Sequence, residues 1–162
     1  MTLAAILILA FVTLQRLGEL WLANRNTRRL LANGAREAEP AHYPLIVAVH
    51  LAWLLTLWLL APGRPISWPM LALFALLQLA RVWVIATLGR RWTTRIIVLP
   101  DALLVKRGPF RFVSHPNYMV VAAEIAVLPL VFGLWFVALV FTILNAAVLT
   151  IRIRAEDRAL GR

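Results

Sequence analysis

Four long runs of apolar residues constrain this chain more than any other feature of its sequence. They occupy residues 2–22, 44–61, 68–88 and 120–144. An α-helix needs about 20 apolar residues to cross the hydrocarbon layer of a bilayer, and each run approaches or exceeds that length. With 62% hydrophobic residues and a mean hydropathy of +0.83, the chain is predicted to be an all-α integral membrane protein with several spans.

Helix-breaking residues divide the fourth run in two. Pro129 and Gly133 interrupt it. Pro116 suits the first position of the helix that precedes this break, because the backbone N–H that proline lacks would have no partner there. The first run lacks the basic start and cleavage pattern of a signal peptide, so we expect it to be retained. We predict one domain, residues 1–162, with five transmembrane helices, the last two as a helical hairpin, at residues 2–22, 44–61, 68–88, 116–131 and 134–151.

The polar connections carry local signals of their own. Leu30 and Leu31, before the second run, favour a short interfacial helix. In the longest polar connection, the β-branched residues 93–99 and the following residues 102–106 predict a short β-hairpin over the membrane surface. Residues 152–162 are predicted to form a charged, helical tail.

The number of basic residues alternates between high and low from one connection to the next. Lys and Arg number four in residues 24–43, one in the second turn, six in residues 90–113, none in the turn at 129–133 and four in the tail. The positive-inside bias therefore predicts an N-terminus outside and a C-terminus in the cytoplasm, with the three basic segments on the cytoplasmic face. Lipid headgroups account for the net charge of +10, so nucleic acid is not an expected partner.

One polar, turn-rich segment lies at the start of the fourth predicted span, Gly108-Pro-Phe-Arg-Phe-Val-Ser-His-Pro-Asn-Tyr118. Polar groups beside hydrocarbon are costly, and a binding site is the simplest explanation for them. In the tail, Arg152 and Glu156 are four residues apart and share one helix face, which faces either this segment or solvent. On spacing alone, a solvated tail with one intrahelical ion pair is favoured.

Glu124 lies about two turns into the fourth predicted span, where a carboxylate is costly enough to indicate a function. Arg81 of the third span is its expected partner, either in a structural pair or in a site.

The other polar residues of the spans are expected to be structural. Arg16 and Glu19 lie near the inner end of the first span, and His42 and His50 flank the start of the second. We expect the two histidines to take part in packing or interfacial hydrogen bonds. The chain has no cysteine and no close group of histidines, so we expect no metal site, disulfide or thiolate chemistry.

Segment 108–118, Glu124 and the tail motif Arg152-Ile-x-x-Glu156-Asp157 resemble the isoprenylcysteine carboxyl methyltransferase family of integral membrane methyltransferases. The resemblance is strongest over the C-terminal half of the chain. Residues 89–100, with Arg16, Glu19 and Asn26, resemble a bacterial branch of that family, some of whose members act on lipophilic polyketide products. The family usually has arginine before the His-Pro pair, whereas this chain has Ser114, with Arg107 and Arg111 as candidate substitutes.

The resemblance implies that S-adenosylmethionine binds at the cytoplasmic ends of the last spans and that a lipophilic acceptor enters from the bilayer of a bacterial inner membrane. Arg152 and Glu124 are the expected catalytic residues, with Arg152 orienting Glu156 or the polar head of the acceptor. The expected cofactor-binding residues are His115, Pro116, Asn117, Tyr118 and Glu156.

The residue types suit that cofactor. The start of a helix at Pro116 favours a carboxylate, Glu156 is a partner for an ammonium group, and Tyr118, Phe110, Phe112 or Trp92 can flank an adenine or a sulfonium. An acceptor oxygen that is already ionised at pH 7, in a carboxylate or an acidic hydroxyl, needs no general base. We therefore expect an acceptor with an acidic oxygen, a carboxylate or an acidic hydroxyl, and the family resemblance implies a lipophilic one such as an isoprenylcysteine-like or polyketide-derived lipid. A plain alcohol would need a base, for which His115 and Glu124 are the candidates.

Two other classes of function stay open on sequence alone. Membrane sterol and steroid reductases have a related C-terminal helical arrangement and bind NAD(P)H, whose phosphate would suit the basic residues of the long connection, Arg90, Arg91, Arg95, Lys106 and Arg107. A non-catalytic membrane scaffold would not need His115, Asn117, Tyr118 and Glu156 together.

Overall fold

The computed structural model describes residues 2–100 and 103–161, without the side chain of Thr2. Within these residues the helices are α1 (Thr2–Ala32), α2 (Tyr43–Leu60), α3 (Trp68–Leu88), α4 (Pro116–Val131) and α5 (Trp135–Leu160). Two short strands, β1 (Arg36–Glu37) and β2 (Ile97–Val98), lie in the connections. Helices α1, α2, α3 and α5 are long and apolar enough to cross a membrane, and α4 is a shorter apolar helix of 16 residues.

The predicted hairpin of the last two helices is confirmed. Helix α4 begins at Pro116, and it ends at Val131, two residues after Pro129. Gly133 turns the chain with a φ of +67°, a conformation that glycine adopts without steric cost. The Ser67 N–H donates to the Val131 carbonyl at 2.8 Å, which ties the start of α3 to the end of α4.

Helix α1 is longer than the predicted first span. It continues to Ala32, so Leu30 and Leu31 belong to α1 and the prediction of a separate interfacial helix is wrong. No proline or glycine follows Gly18 until Gly34, which ends the helical region with a φ of +85°. The polar end of α1 is also held by tertiary contacts, because the Asn26 amide donates to the Trp92 carbonyl at 2.8 Å.

The strand prediction is right for one strand and wrong for its partner. Ile97–Val98 is a strand, but it pairs antiparallel with Arg36–Glu37 of the earlier connection. The predicted partner, residues 102–106, forms no strand over its described part, 103–106, and Ala102 lies outside the described residues. An Arg95 to Glu37 ion pair of 2.8 Å supports the observed pairing.

The connection after α1, the connection after α3 and the end of α5 meet at one end of the helices. Besides the strand pairing, Arg158 of α5 donates two hydrogen bonds, of 3.0 and 2.7 Å, to the carboxylate of Glu39. These hydrogen bonds lower the pKa of Glu39 below its ordinary value. The three basic segments that the charge pattern predicted to share a face therefore do lie together, at the end that carries the polar segment 108–118.

The opposite part of the structure is an apolar core between α1, α2, α3, α4 and α5. Its largest fully buried side chains include Trp53, Leu57, Leu128 and Phe132. The indole N–H of Trp53 donates to the Ile125 carbonyl at 3.2 Å, which fixes α2 against α4 without leaving a polar group unpaired.

Four charged side chains meet inside the helices and join α1, α3 and α4. The carboxylate of Glu124 is fully buried and accepts hydrogen bonds from Arg16 at 2.7 Å and Arg81 at 3.0 Å. Arg81 also forms a fork with Glu19, at 2.5 and 2.6 Å. The expected pairing of Arg81 with Glu124 is present, and it extends to Arg16 and Glu19. Two guanidinium groups and two carboxylates balance in charge, which is what burial of this cluster requires.

We predict that Glu124→Leu lowers the free energy of unfolding by about 3–5 kcal/mol, because it leaves two buried guanidinium groups to share one carboxylate. Denaturant titration of the protein in detergent micelles measures the change. The control is Glu39→Gln, which breaks the exposed pair with Arg158 and is expected to have no measurable effect. Equal stability of wild type and Glu124→Leu would contradict a stabilising role for the cluster.

Candidate active site

The His-Pro segment and the end of α5 meet in a cluster of polar side chains. The Tyr118 hydroxyl donates to Glu156, and Nε2 of His115 lies 3.2 Å from Oδ1 of Asp157. The rings of His115 and Tyr118 stack with their centroids 5.4 Å apart. His115 immediately precedes α4 and has a non-helical backbone, with φ −128° and ψ 57°. Three of the predicted site residues, His115, Tyr118 and Glu156, are thus brought together.

Arg152 links α4, α5 and the long connection. Its side chain is buried; Nε donates to the Tyr118 hydroxyl at 2.8 Å, and Nη2 donates to the Thr94 carbonyl at 2.7 Å. The prediction of a solvated tail with an Arg152 to Glu156 ion pair is wrong. The Tyr118 hydroxyl lies between the two side chains, and the helix face that carries Asn145 and Arg152 is buried.

Glycine at position 108 is required by the path of the connection. Gly108 has a φ of +57°, and a Cβ at this position would lie 2.6 Å from the Thr87 hydroxyl oxygen. The connection can therefore approach the end of α3 only with glycine here. This close approach explains the Gly-Pro pair that begins the polar segment.

A cavity of about 340 Å³, which we call the loop cavity, is lined by the long connection, the start of α4 and the end of α5. His115, Asn117 and Glu156 form its polar side, together with the cationic Arg91 and Arg95. Oε1 of Glu156 accepts no hydrogen bond from the described residues, so one carboxylate oxygen is free to accept from a ligand.

Ser114 also lines the loop cavity. The expected substitutes for a family arginine at this position do not line it: Arg111 lies over the ring of Phe112, and Arg107 reaches the Thr87 carbonyl. The arginines that line this cavity are Arg91, Arg95 and Arg152.

A second cavity of about 280 Å³, which we call the helix cavity, lies between α1, α2 and the start of α4. Leu17 and Leu20 of α1 and Val47 and Leu51 of α2 line it, and all four are also exposed on the outer surface of the helices. From this exposure we infer a sideways opening between α1 and α2, at a surface that faces lipid where these helices cross a membrane.

The two cavities share one wall. Five residues line both of them, Trp92, Thr93, Asn117, Tyr118 and Arg152, and we call this set the shared wall. Two of its polar atoms, Nε1 of Trp92 and Oδ1 of Asn117, are buried without a hydrogen-bond partner in the described parts of the chain. Such atoms are rare in folded proteins, and a bound ligand is a common reason for them.

Pro116 and Glu124 have different positions from the other predicted site residues. Pro116 is buried at the first position of α4 and sets the start of the helix. Glu124 lies six residues beyond Tyr118, about 9 Å along α4, and lines neither cavity. Its carboxylate is occupied by Arg16, Arg81 and Gln78. A catalytic role for Glu124 stays a prediction, and the contacts that it makes are those of the buried charge cluster.

Several residues of the site have little or no signal in the sequence. Thr94 takes part through its backbone carbonyl, which any residue would provide. Thr93 lines both cavities but has no distinctive neighbours in the sequence. The tail motif does indicate Asp157, which follows Glu156, but the contact of Asp157 with His115 depends on the fold. Of the predicted aromatics, Phe112 is 74% exposed and lines neither cavity.

Comparison with known proteins supports a methyltransferase family. The model of the isoprenylcysteine carboxyl methyltransferase (ICMT) family matches residues 70–162. The chain is 38% identical to "Uncharacterized protein YpbQ" of Bacillus subtilis (strain 168), over 95% of each chain. It is 26% identical to an "Uncharacterized protein" of Haemophilus influenzae, over 99% of this chain and 93% of the relative. No solved structure matches.

We predict that Arg152→Met loosens the long connection, because the Thr94 carbonyl loses its charged donor. A hydrogen bond to a charged group contributes about 1.5–3 kcal/mol, so amide exchange around residues 94–96 is expected to accelerate by roughly 10- to 100-fold. Hydrogen-exchange mass spectrometry measures the rate. Arg154→Met is the matched control, since Arg154 is an exposed arginine on the same helix. Unchanged exchange in Arg152→Met would contradict the linking role of this side chain.

Proposed function

The chain belongs to the isoprenylcysteine carboxyl methyltransferase family, and from this we propose that it is an S-adenosylmethionine-dependent O-methyltransferase for a lipophilic acceptor. The single observation that carries the proposal is the shared wall between a cavity with both charged and apolar lining residues and a mainly apolar one. A methyl transfer between a charged, water-soluble donor and a lipid needs two such compartments in contact.

The residues of the loop cavity fit the cofactor. Its free carboxylate oxygen on Glu156 suits the cofactor's ammonium group, and the cationic side chain of Arg91 suits its carboxylate. The ring of His115, stacked on Tyr118, and the indole of Trp92 provide aromatic surface for a sulfonium or an adenine. When bound, S-adenosylmethionine supplies a methyl group on a positively charged sulfur. The acceptor oxygen takes this methyl group, and the sulfur is the leaving group of the in-line displacement.

The residues of the helix cavity fit a lipid acceptor. Its sideways opening between α1 and α2 gives a hydrocarbon chain a path from the bilayer without passage through water. The polar head of the acceptor then meets the shared wall, where the Arg152 guanidinium holds a negative oxygen. Carboxylates and acidic hydroxyls are ionised at pH 7, so the acceptor oxygen arrives without a proton to remove.

The chain's own contribution to the reaction is position and the exclusion of water. Tyr118 and Arg152 are mutually hydrogen-bonded, so their side chains hold the shared wall in one geometry. The buried Asn117 oxygen and Trp92 N–H supply polar contacts where the two ligands meet. No step requires Glu124 to take up a proton, and we assign it the support of α4 behind the site.

The orientation in the membrane is part of the proposal. The basic connections and the end of α5 surround the loop cavity, and the positive-inside bias favours the cytoplasm for that end. S-adenosylmethionine is a cytoplasmic metabolite of charged character, so this orientation gives it access. With bacterial relatives, the bacterial inner membrane is the proposed location.

The two alternative classes have less support. The family match is to methyltransferases, so the NAD(P)H-dependent reductase is not supported. A scaffold without catalysis would leave the two cavities and the unpaired polar atoms of their shared wall without a purpose.

We predict that Glu156→Ala weakens binding of S-adenosylhomocysteine by about tenfold or more, the value of one charge-assisted hydrogen bond. His115→Ala is expected to weaken binding as well, because it removes the aromatic surface that stacks on Tyr118. Isothermal titration calorimetry of the purified full chain measures the affinity. Glu39→Gln, which removes an exposed carboxylate that contacts α5, is the control and should bind as the wild type does. Wild-type affinity in both alanine variants would move the cofactor site elsewhere, and tight binding of NADPH alone would refute the methyltransferase proposal.

We also predict that membranes containing the active protein accumulate a lipid heavier by one methylene unit than its precursor. Lipid mass spectrometry of cells that express wild type or Glu156→Ala identifies the acceptor by this difference. Identical lipid profiles, under conditions in which wild type binds S-adenosylhomocysteine, would contradict a lipid acceptor.

A further inference from the structure

The helix cavity has a polar belt in an otherwise apolar wall. Arg16 and Glu19 of α1, His50 of α2 and Arg81 of α3 all line it. A cavity for a plain hydrocarbon chain would not need polar side chains of this kind, since each has a cost inside a membrane. Three of the four belong to the buried charge cluster, whereas His50 forms no hydrogen bond or ion pair with that cluster among the described residues.

His50 presents a hydrogen-bond acceptor to the cavity. Its Nδ1 lies 2.8 Å from the Ile46 carbonyl, and because a carbonyl only accepts, Nδ1 carries the proton. In the neutral imidazole Nε2 then holds a lone pair, and no described residue donates to it. On the other side of the belt, Nε of Arg16 is a buried donor without a partner in the described residues.

The belt lies well below the shared wall. Arg16 and Arg81 contact Glu124, which follows Tyr118 by six residues, or about 9 Å along α4. The α2 side of the belt lies within about one turn of that depth, because Trp53, which follows His50 by three residues, donates to the carbonyl of Ile125. A polar group that reaches the belt is therefore separate from the oxygen that is methylated at the shared wall.

The balance of charges around the belt determines whether it favours a charged or an uncharged polar group. Arg16 and Arg81 are balanced by Glu19 and Glu124, so a second anion would meet two carboxylates as well as two guanidinium groups. An uncharged hydroxyl suits the site better, since it donates to Nε2 of His50 and accepts from a guanidinium N–H.

We propose that the polar belt binds an uncharged hydroxyl of the acceptor, about 9 Å from the methylated oxygen, and that His50 is the residue that selects for it. This inference rests on the proposed function, in which the helix cavity holds the acceptor. It deepens that function by naming the acceptor class, which is a lipid with a second polar group below its head and not a plain fatty acid.

Two matched fatty acids test the proposal in a binding experiment with the full chain in detergent. They are octadecanoic acid and 7-hydroxyoctadecanoic acid. An extended hydrocarbon chain advances about 1.2 Å per bond, so the hydroxyl on carbon 7 lies at roughly the depth of the belt. Quenching of tryptophan fluorescence, with Trp53 and Trp92 in the cavity wall, reports the affinity. Wild type is expected to bind the hydroxy acid about fivefold more tightly, the value of one neutral hydrogen bond.

His50→Leu is expected to remove this preference and to leave the affinity for octadecanoic acid unchanged. Thr56→Val is the matched control, because Thr56 makes the same type of bond, to the carbonyl four residues earlier on α2, and does not line the cavity. A preference that persists in His50→Leu, equal binding of both acids by wild type, or binding of neither acid would overturn the proposal.

The test separates this inference from the proposed function. S-adenosylhomocysteine binding is measured on the same samples, and retained binding in His50→Leu shows that the variant is folded. Protein that binds S-adenosylhomocysteine but does not distinguish the two acids keeps the methyltransferase proposal and loses the polar belt.

Discussion

The hydrogen bonds of the Arg152 guanidinium are the interaction on which the rest of the site depends. From α5 they reach the Tyr118 hydroxyl on α4 and the Thr94 carbonyl in the long connection. A buried guanidinium is costly unless its donors are satisfied, so these contacts fix three separate segments relative to one another. Because Arg152 and Tyr118 line both cavities, the same contacts define the boundary at which a polar ligand and a lipid can meet.

The membrane explains why polar chemistry is confined to two places. Long apolar helices leave the connections and the end of α5 at one end of the molecule, where ion pairs such as Arg158 with Glu39 join them. Among the helices, the charges around Glu124 are buried as a balanced cluster. Three side chains of that cluster also line the helix cavity, where they form the polar belt together with His50, the residue to which we assign selectivity.

The features that the sequence predicts are those decided by nearby residues. Pro116 starts α4 and Gly133 turns the chain, because each restricts its own backbone. Of the contacts between distant segments, the pairing of Arg81 with Glu124 was predictable, because each is a costly charge inside a predicted span. Other such contacts were not. The partner of strand Ile97–Val98 lies in another connection, and Arg16 reaches Glu124 across 108 residues of sequence. The Arg152 to Glu156 spacing predicted an ion pair along one helix, but the Tyr118 hydroxyl, which no local pattern reveals, lies between them.

An experimental structure of the full chain with S-adenosylhomocysteine and an 18-carbon acid tests the account most directly. We expect S-adenosylhomocysteine in the loop cavity, with its sulfur against the shared wall, and the acid in the helix cavity, with its carboxylate toward Arg152. Either ligand at the opposite end of the helices, or both ligands in positions that do not meet at Tyr118 and Arg152, would contradict it.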